Sequence, residues 1–367
     1  LSTGAAPLRS RLRLVTVEVR SACRAEFAII SSDLYPKGGF MKLIVRVKQN
    51  AMVSPLRRLE LPTEVERLDN GNTLITDGGD WTGDGSEILE VDREGNIVWE
   101  YRAGLIFAHT AKVTRRGTMV IVDTTNDRIL EISRDGQVLW DSSSWAGGAG
   151  TLSDGTRFYY PNHVQVLDDN TFLVTDRNND RVVEFDRNGN ILWCFNKLHH
   201  PHNARRLPNG NTLIADSDAN IIIEIDTSGS IVWSYGRKAS ERLDWPRDAD
   251  RLPNGNTLIA DSRNHRVIEV DPRGKIVWSF APNYKLRPYE ADRLPNGNTL
   301  ISSQGPMEVI EVDHAGNVVW AFRNFFRPLN LPDELQNPGF EEPDPRSPEH
   351  PSGWAICDLI SEGGAIF

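Results

Sequence analysis

One thirty-residue phrase, RLPNGNTLIADSRNHRVIEVDPRGKIVWSF at 251–280, recurs with small changes along most of this chain. Its Trp stands at 99, 140, 193, 233, 278 and 320, at intervals of 41, 53, 40, 45 and 42 residues. Six copies cover 61–325. A period of this size marks an array of like supersecondary units, each of which needs its neighbours to bury its apolar face. Within a copy the apolar period is two, the mark of strands. In the fourth copy the strands are expected at Asn203–Leu207, Thr212–Asp216, Ile221–Asp226 and Ile231–Tyr235. Asn-Gly and Ser-Gly or Arg-Gly pairs between them accept positive φ and make tight hairpins. Four antiparallel strands per copy and six copies predict an all-β, six-bladed β-propeller of four-stranded antiparallel blades, because radial closure leaves only short, protected edges.

The rest of the composition bounds the partners. The 367 residues are 39% hydrophobic and 25% charged, enough for a large packed core. Residues 1–58 hold eleven Lys/Arg against three acids, so a net charge of −10 leaves the remainder at −18. An acidic body repels phosphate backbones, and nucleic acid is not an expected partner. No apolar run reaches the roughly 18 residues of a membrane span, and a monomer is expected. Cys23, Cys194 and Cys357 have no metal-site spacing and no disulfide framework.

Three regions follow: a basic extension at 1–57, the propeller at 58–326, and a Pro-rich tail at 327–367. Residues 1–40 are Arg-rich with no convincing signal peptide and are expected to precede the native start. Met41 opens MKLIVRV as that start or as a first strand. In the tail, LQNPGFEEPDPRSPEHPSGWAI (335–356) resembles the opening strand of carbohydrate-binding jelly rolls. That resemblance implies a truncated module, a glycan partner, and an extracellular or periplasmic setting.

The six Trp residues are assigned to packing between blades. Asp123/Arg128, Asp176/Arg181 and Asp261/Arg266, each within D-x-x-N-x-R, are assigned to tying down the loop after the second strand. That phrase resembles the NHL repeat, and LPNGNTLI…G-x-I-V-W resembles the repeats of arylsulfotransferase-type propellers.

Function is sought where the copies differ. The turns on one face barely vary, whereas Gly78–Ser86 (with Asp80, Trp81 and Asp84), Asp141–Tyr160 and Gly236–Trp245 elaborate the opposite one, as a scaffold carrying a site does. Aligned on the Pro, or Ala, that opens each first strand, the next two positions read Thr63/Glu64, His109/Thr110, Asn162/His163, His202/Asn203, Arg247/Asp248 and Tyr289/Glu290. Brought round one axis, three histidines, three carboxylates, an arginine and a tyrosine form a metal site or an acid–base site at the channel mouth. His199, His200, His265 and His314 are weaker candidates.

Resemblance implies two chemistries. Calcium-dependent propeller lactonases and phosphotriesterases use ligands similar in type and order to Glu64, Asn203 and Asp248, without the Gly that follows in that family. A zinc amidating-lyase propeller uses histidines placed like His109, His163 and His202. Either divalent metal, with Glu290 as a further ligand, predicts a metal-dependent hydrolase of an ester-like small molecule, Arg247 and Tyr289 steadying the developing charge. Arylsulfotransferases instead use a channel histidine as nucleophile. His202, His163, Asn203 and Arg177 are the matching residues, although the family's H-x-N phrase is replaced by Pro-His-Asn and Asn-His-Val and no QHD-like phrase occurs. Hydrolysis is the leading expectation, sulfuryl transfer the second, and a non-catalytic peptide- or glycan-binding propeller the third.

Overall fold

The computed structural model describes residues 59–80, 85–148 (146 and 147 as backbone) and 150–323, with the backbone of three strands, Leu12–Glu18, Arg24–Ile30 and Leu43–Val47. Two units are present, one of them Arg58–Arg327 and the other drawn from the two termini. In the terminal unit the three strands form an antiparallel sheet with Arg24–Ile30 in the middle. The segment opened by Met41 forms a strand at Leu43–Val47, as the third of this sheet rather than a first strand. Trp81, Asp84, Cys23, Cys357 and the tail from 324 lie outside the described residues.

Arg58–Arg327 is the six-bladed propeller, each blade a four-stranded antiparallel sheet of consecutive strands. The innermost strands are Pro62–Arg67, Ala108–Val113, Pro161–Val166, Pro201–Arg206, Pro246–Arg251 and Pro288–Arg293. The second strands, such as Thr212–Asp216 and Thr257–Asp261, are buried throughout apart from Thr171 in Thr171–Asp176, while outer strands such as Ile97–Tyr101 alternate. A strand covered by blades on both faces can be apolar throughout, whereas a half-covered one must alternate.

The ring closes without exchanging a strand. Leu59, Val65, Ile75, Leu89 and Val91 of the first blade share one apolar cluster with Leu294, Leu300, Val309 and Trp320 of the last. The Val65 amide donates to Glu290 Oε2 across the seam (3.1 Å), and Trp320 Nε1 donates to the Arg93 carbonyl (2.9 Å).

One latch recurs on the tight-turn face. The two Asn of each Asn-Gly-Asn turn donate to a buried Glu of their own blade: Asn70 and Asn72 to Glu90, Asn209 and Asn211 to Glu224, Asn254 and Asn256 to Glu269, Asn296 and Asn298 to Glu311. The last residue of the next inner strand reaches back to that Glu: Arg251 to Glu224, Arg293 to Glu269 and, over the seam, Arg67 to Glu311, all at 2.8–2.9 Å. The same arginines lie over Trp233, Trp278 and Trp320 at 4.6–5.1 Å. The repeated Trp thus cements blades, as expected. The Asp/Arg pairs are also formed, Arg181 Nε and Arg266 Nε each lying 2.7 Å from Asp176 and Asp261.

The insertion Asp141–Tyr160 departs from expectation. Trp145, Leu152 and Phe158 are buried with Phe172 and Phe185 in the core between the second and third blades. Trp145 Nε1 donates to the Arg187 carbonyl (2.9 Å), and the Ser153 amide donates to the carbonyl of Gly189 in the tight turn (2.9 Å). Apolar side chains that large are stabilised by burial more than by display, so the segment packs down the blade edge instead of crowning the channel.

Candidate active site in the channel

Strict alternation would turn only one of two successive residues toward the axis. Here every inner strand carries a register shift just after its opening residue, between Pro62 and Glu64, Ala108 and Thr110, Pro161 and Val164, Pro201 and Asn203, Pro246 and Asp248, and Pro288 and Glu290. A bulge sets two residues against one and re-aims the strand. All of these positions but Asn162 therefore line one narrow cavity of about 10 Å3, walled by Thr63, Glu64, His109, Thr110, His163, His202, Asn203, Arg247, Asp248, Tyr289 and Glu290. The predicted ring is assembled. It does not open at the mouth, however: His109, His202 and Tyr289 are 4–5% exposed and His163 and Arg247 2%. These side chains fill the channel below its rim.

Three rings meet in the upper tier. The centroids of His109, His202 and Tyr289 lie 4.8–5.2 Å apart, and Tyr289 Oη is 3.0 Å from His109 Nε2. The Arg247 guanidinium covers the Tyr289 ring at 3.6 Å, and its Nη2 donates to Gln304 Oε1 at 3.1 Å. Its Nε and Nη1 are buried with no hydrogen-bond partner among the described residues. Burial, then Arg247 or His109 nearby, holds His109 and His202 well below the ordinary 6.5, so both imidazoles are neutral. Backbone carbonyls act the other way on each ring, that of Arg247 on His202 and those of His109 itself and of Asn162 on His109. A carbonyl at one ring nitrogen holds it as N–H and leaves the other its lone pair. On His109 that lone pair faces the Tyr289 hydroxyl; on His202 no side chain among the described residues takes it.

His163 stands apart. It lines the same cavity, but both its nitrogens are buried without a partner among the described residues, and Arg205 and Lys112 are the charges that bear most on it. They belong to a lower tier that sequence reasoning missed, built from the fifth position of each inner strand. Lys112 pairs with Glu64 and lies 3.7 Å from Glu290; Arg205 pairs with Asp250, with Glu290 at 3.0 Å and with Asp248 at 3.7 Å. Period two could have exposed it, since positions three and five of a strand share a face.

Those pairs bear on the metal expectation. Glu64, Asp248 and Glu290 face an ammonium and a guanidinium already within the ring, which a divalent cation would have to displace. Burial raises Asp248 to about 7 and Glu64 well above its ordinary value, disfavouring the carboxylate forms that calcium needs. Among the described residues no three His, Cys, Asp or Glu side chains gather as metal ligands. Among the described residues neither the calcium set of Glu64, Asn203 and Asp248 nor the zinc set of His109, His163 and His202 is gathered as metal ligands.

Above the tiers lies a wider concavity of about 420 Å3, lined by Arg177, Ser217, Asp218, Asn220, Trp245 and Arg263. Its residues come from second-to-third-strand turns and from Gly236–Trp245, a long connection that does serve the channel. The backbone there is demanding: Gly236 has φ 104°, and a Cβ on it would stand 2.5 Å from the Asn220 carbonyl oxygen. His200 Nδ1 meets Asp218 Oδ2 (2.6 Å) in the same rim, while His265 and His314 sit in turns, the latter against Trp278.

The channel of this closed propeller thus holds neutral histidines, a tyrosine and an incompletely paired arginine. The family model described as Arylsulfotransferase (ASST) matches residues 153–326, which include His163, Arg177, His202, Asn203, Arg247 and Tyr289. Among curated proteins none matches the sequence. Similar solved structures include a Bacteroides caccae protein of unknown function, 21% identical over 68% of this chain and 93% of that one, with a TM-score of 0.51. Streptogramin B lyase is 13% identical (72% and 83% covered, TM-score 0.52), and virginiamycin B lyase from Staphylococcus aureus 12% identical (74% and 87%, TM-score 0.52). At such identities they bear out the propeller alone. No helix among the described residues is long and apolar enough to cross a membrane.

Proposed function

We propose that the channel transfers a sulfuryl group from an aryl sulfate ester to a phenolic acceptor by way of a sulfated His202. The observation that carries this reading is the upper tier: a neutral imidazole with a free lone pair beside an arginine with unbonded donors, within a segment that matches the arylsulfotransferase family. It displaces hydrolysis as the favoured chemistry, since the donor set does not suit a metal.

In this mechanism the His202 lone pair attacks sulfur and the bond from sulfur to the aryl oxygen breaks. Arg247, with Arg177 whose charge also reaches His202, stabilises the negative charge that builds on the sulfuryl oxygens. The proton shared by Tyr289 Oη and His109 Nε2 passes to the leaving phenolate. An incoming phenol returns that proton, its oxygen attacks sulfur, and the sulfur–nitrogen bond breaks, restoring His202. Burial raises the Tyr289 hydroxyl above the ordinary tyrosine range, which keeps that proton in place until a phenolate forms to take it.

Release of nitrophenolate from 4-nitrophenyl sulfate, with phenyl sulfate formed when phenol is added and no sensitivity to chelators, is the expected result. Transfer that survives His202→Ala, or no turnover by the wild-type protein, would overturn the assignment.

A further inference from the structure

The buried cavity, about 10 Å3, has room for no more than a water-sized group, so the ring of a substrate must lie in the outer concavity. That concavity is not an apolar slot for a plain phenyl ring. Trp245, its aromatic wall, sits at φ 54° immediately before Pro246, a conformation that bulky residues avoid. Two hydrogen bonds hold it there: its amide donates to Asn220 Oδ1 (2.6 Å) and its indole Nε1 to Asp218 Oδ1 (2.9 Å). The pinned indole carries two guanidiniums, Arg247 at 4.3 Å on the side of the buried cavity and Arg263 at 4.1 Å on the solvent side.

Stacking holds a guanidinium flat and leaves its edge N–H groups free for planar, bidentate acceptors. Among the described residues no carboxylate pairs with Arg263. The acid of the concavity, Asp218, is already occupied by His200 and Trp245, and Arg177 Nη2 stands 4.0 Å from it. Arg177, Arg263 and the exposed Arg287 all bear on Arg247, so cations gather at this rim of a chain whose net charge is −10. Fixed cations left unpaired at a concave rim are arranged for an anion.

The geometry points to a second anion subsite, at Arg263 on Trp245: the aryl group of the substrate carries, at the end away from its sulfate, a further anionic group such as a carboxylate. This inference rests on the sulfuryl-transfer reading for its orientation, but binding tests it without turnover.

Calorimetric titration of the wild-type protein with benzenesulfonate and with 4-sulfobenzoate compares two ligands whose carbon–sulfur bond is not transferred. The expected result is about tenfold tighter binding of 4-sulfobenzoate, the size of one hydrogen bond between charged partners. That gap should close in Arg263→Gln, an exposed position whose change leaves the fold intact, and narrow in Trp245→Phe, which frees the stack. Equal affinities, no binding of either ligand, or a gap that persists in Arg263→Gln would overturn the subsite. A gap that behaves as expected in a protein that transfers no sulfuryl group would leave the subsite standing and remove only the reaction.

Discussion

The two ends of this propeller treat the same repeat in opposite ways. On the tight-turn face, buried Glu224, Glu269 and Glu311 each receive two asparagines and an arginine, and the arginine stacks on a tryptophan. In the upper channel the equivalent positions of six blades hold Thr63, His109, Asn162, His202, Arg247 and Tyr289, no residue type more than twice. In the latch every Glu is engaged from both sides, with only Arg67 Nε and Arg251 Nε left over, whereas in the channel Arg247 keeps two buried nitrogens unpaired and His163 both of its own. Sixfold repetition serves closure, because each seam poses the same packing problem. Chemistry needs different groups facing one another, and a ring supplies them by varying one position among its blades.

That contrast can be broken most sharply at His202. His202→Ala should reduce sulfuryl transfer by about a thousandfold or more, the scale of losing a nucleophile, while thermal unfolding monitored by circular dichroism changes little. The latch should show the reverse. Glu311→Ala strands Arg67, Arg93, Asn296 and Asn298 at the closing seam and should cost about 3–5 kcal/mol in denaturant unfolding, with kcat per folded molecule unaltered.

Arg247→Gln sharpens the comparison by separating function from stability. Burial first, and its arginine neighbours after, hold Arg247 down to about 10, so its charge is kept at some cost to the fold. Transfer should fall about a hundredfold and the melting temperature should hold or rise, as at sites that trade stability for activity.

The smallest effect lies in pH. Folded His109, His163 and His202 resist protonation that their unfolded forms accept below about 6.5, so each removes stability as pH falls through that value. Asp248 works oppositely: raised to about 7, its contribution is complete below the ordinary 3.8 and is lost as pH rises through 7. Glu64, Asp250, Asp77 and Asp216 are raised too and act with Asp248, so the histidines' own share, a decline between pH 7 and 5, is isolated by substitution. His163→Gln, which leaves the proposed reacting groups in place, should recover up to about 2 kcal/mol of that decline at pH 5, read from urea titrations at both values. For the same reason the acid limb of transfer should lie well below 6.5.

The ring of candidate residues was legible because equivalent positions of a repeat must fall at equivalent radii, and aligning six strand starts was enough to collect it. The bulge that turns two successive residues inward was not legible, since it has no residue signature of its own in Thr63–Glu64 or Arg247–Asp248. The lower tier could have been read from period two but was passed over, and Lys112 and Arg205 are what make the metal sets unsuitable. Loop length misled at Asp141–Tyr160, where Trp145 and Phe158 are core residues, and served well at Gly236–Trp245.

By itself the sequence determined the number of blades, their strands, the hairpin turns and the Trp-centred seams, because these depend on local periodicity and on contacts between adjacent copies. Only the tertiary structure decided that His202 keeps a free lone pair while His109 is engaged by Tyr289, that the carboxylates face cations, and that Arg263 lies unpaired on Trp245. Those outcomes depend on distances of a few ångströms between residues from different blades, and on the burial that sets their protonation. Neither quantity exists until the ring has closed.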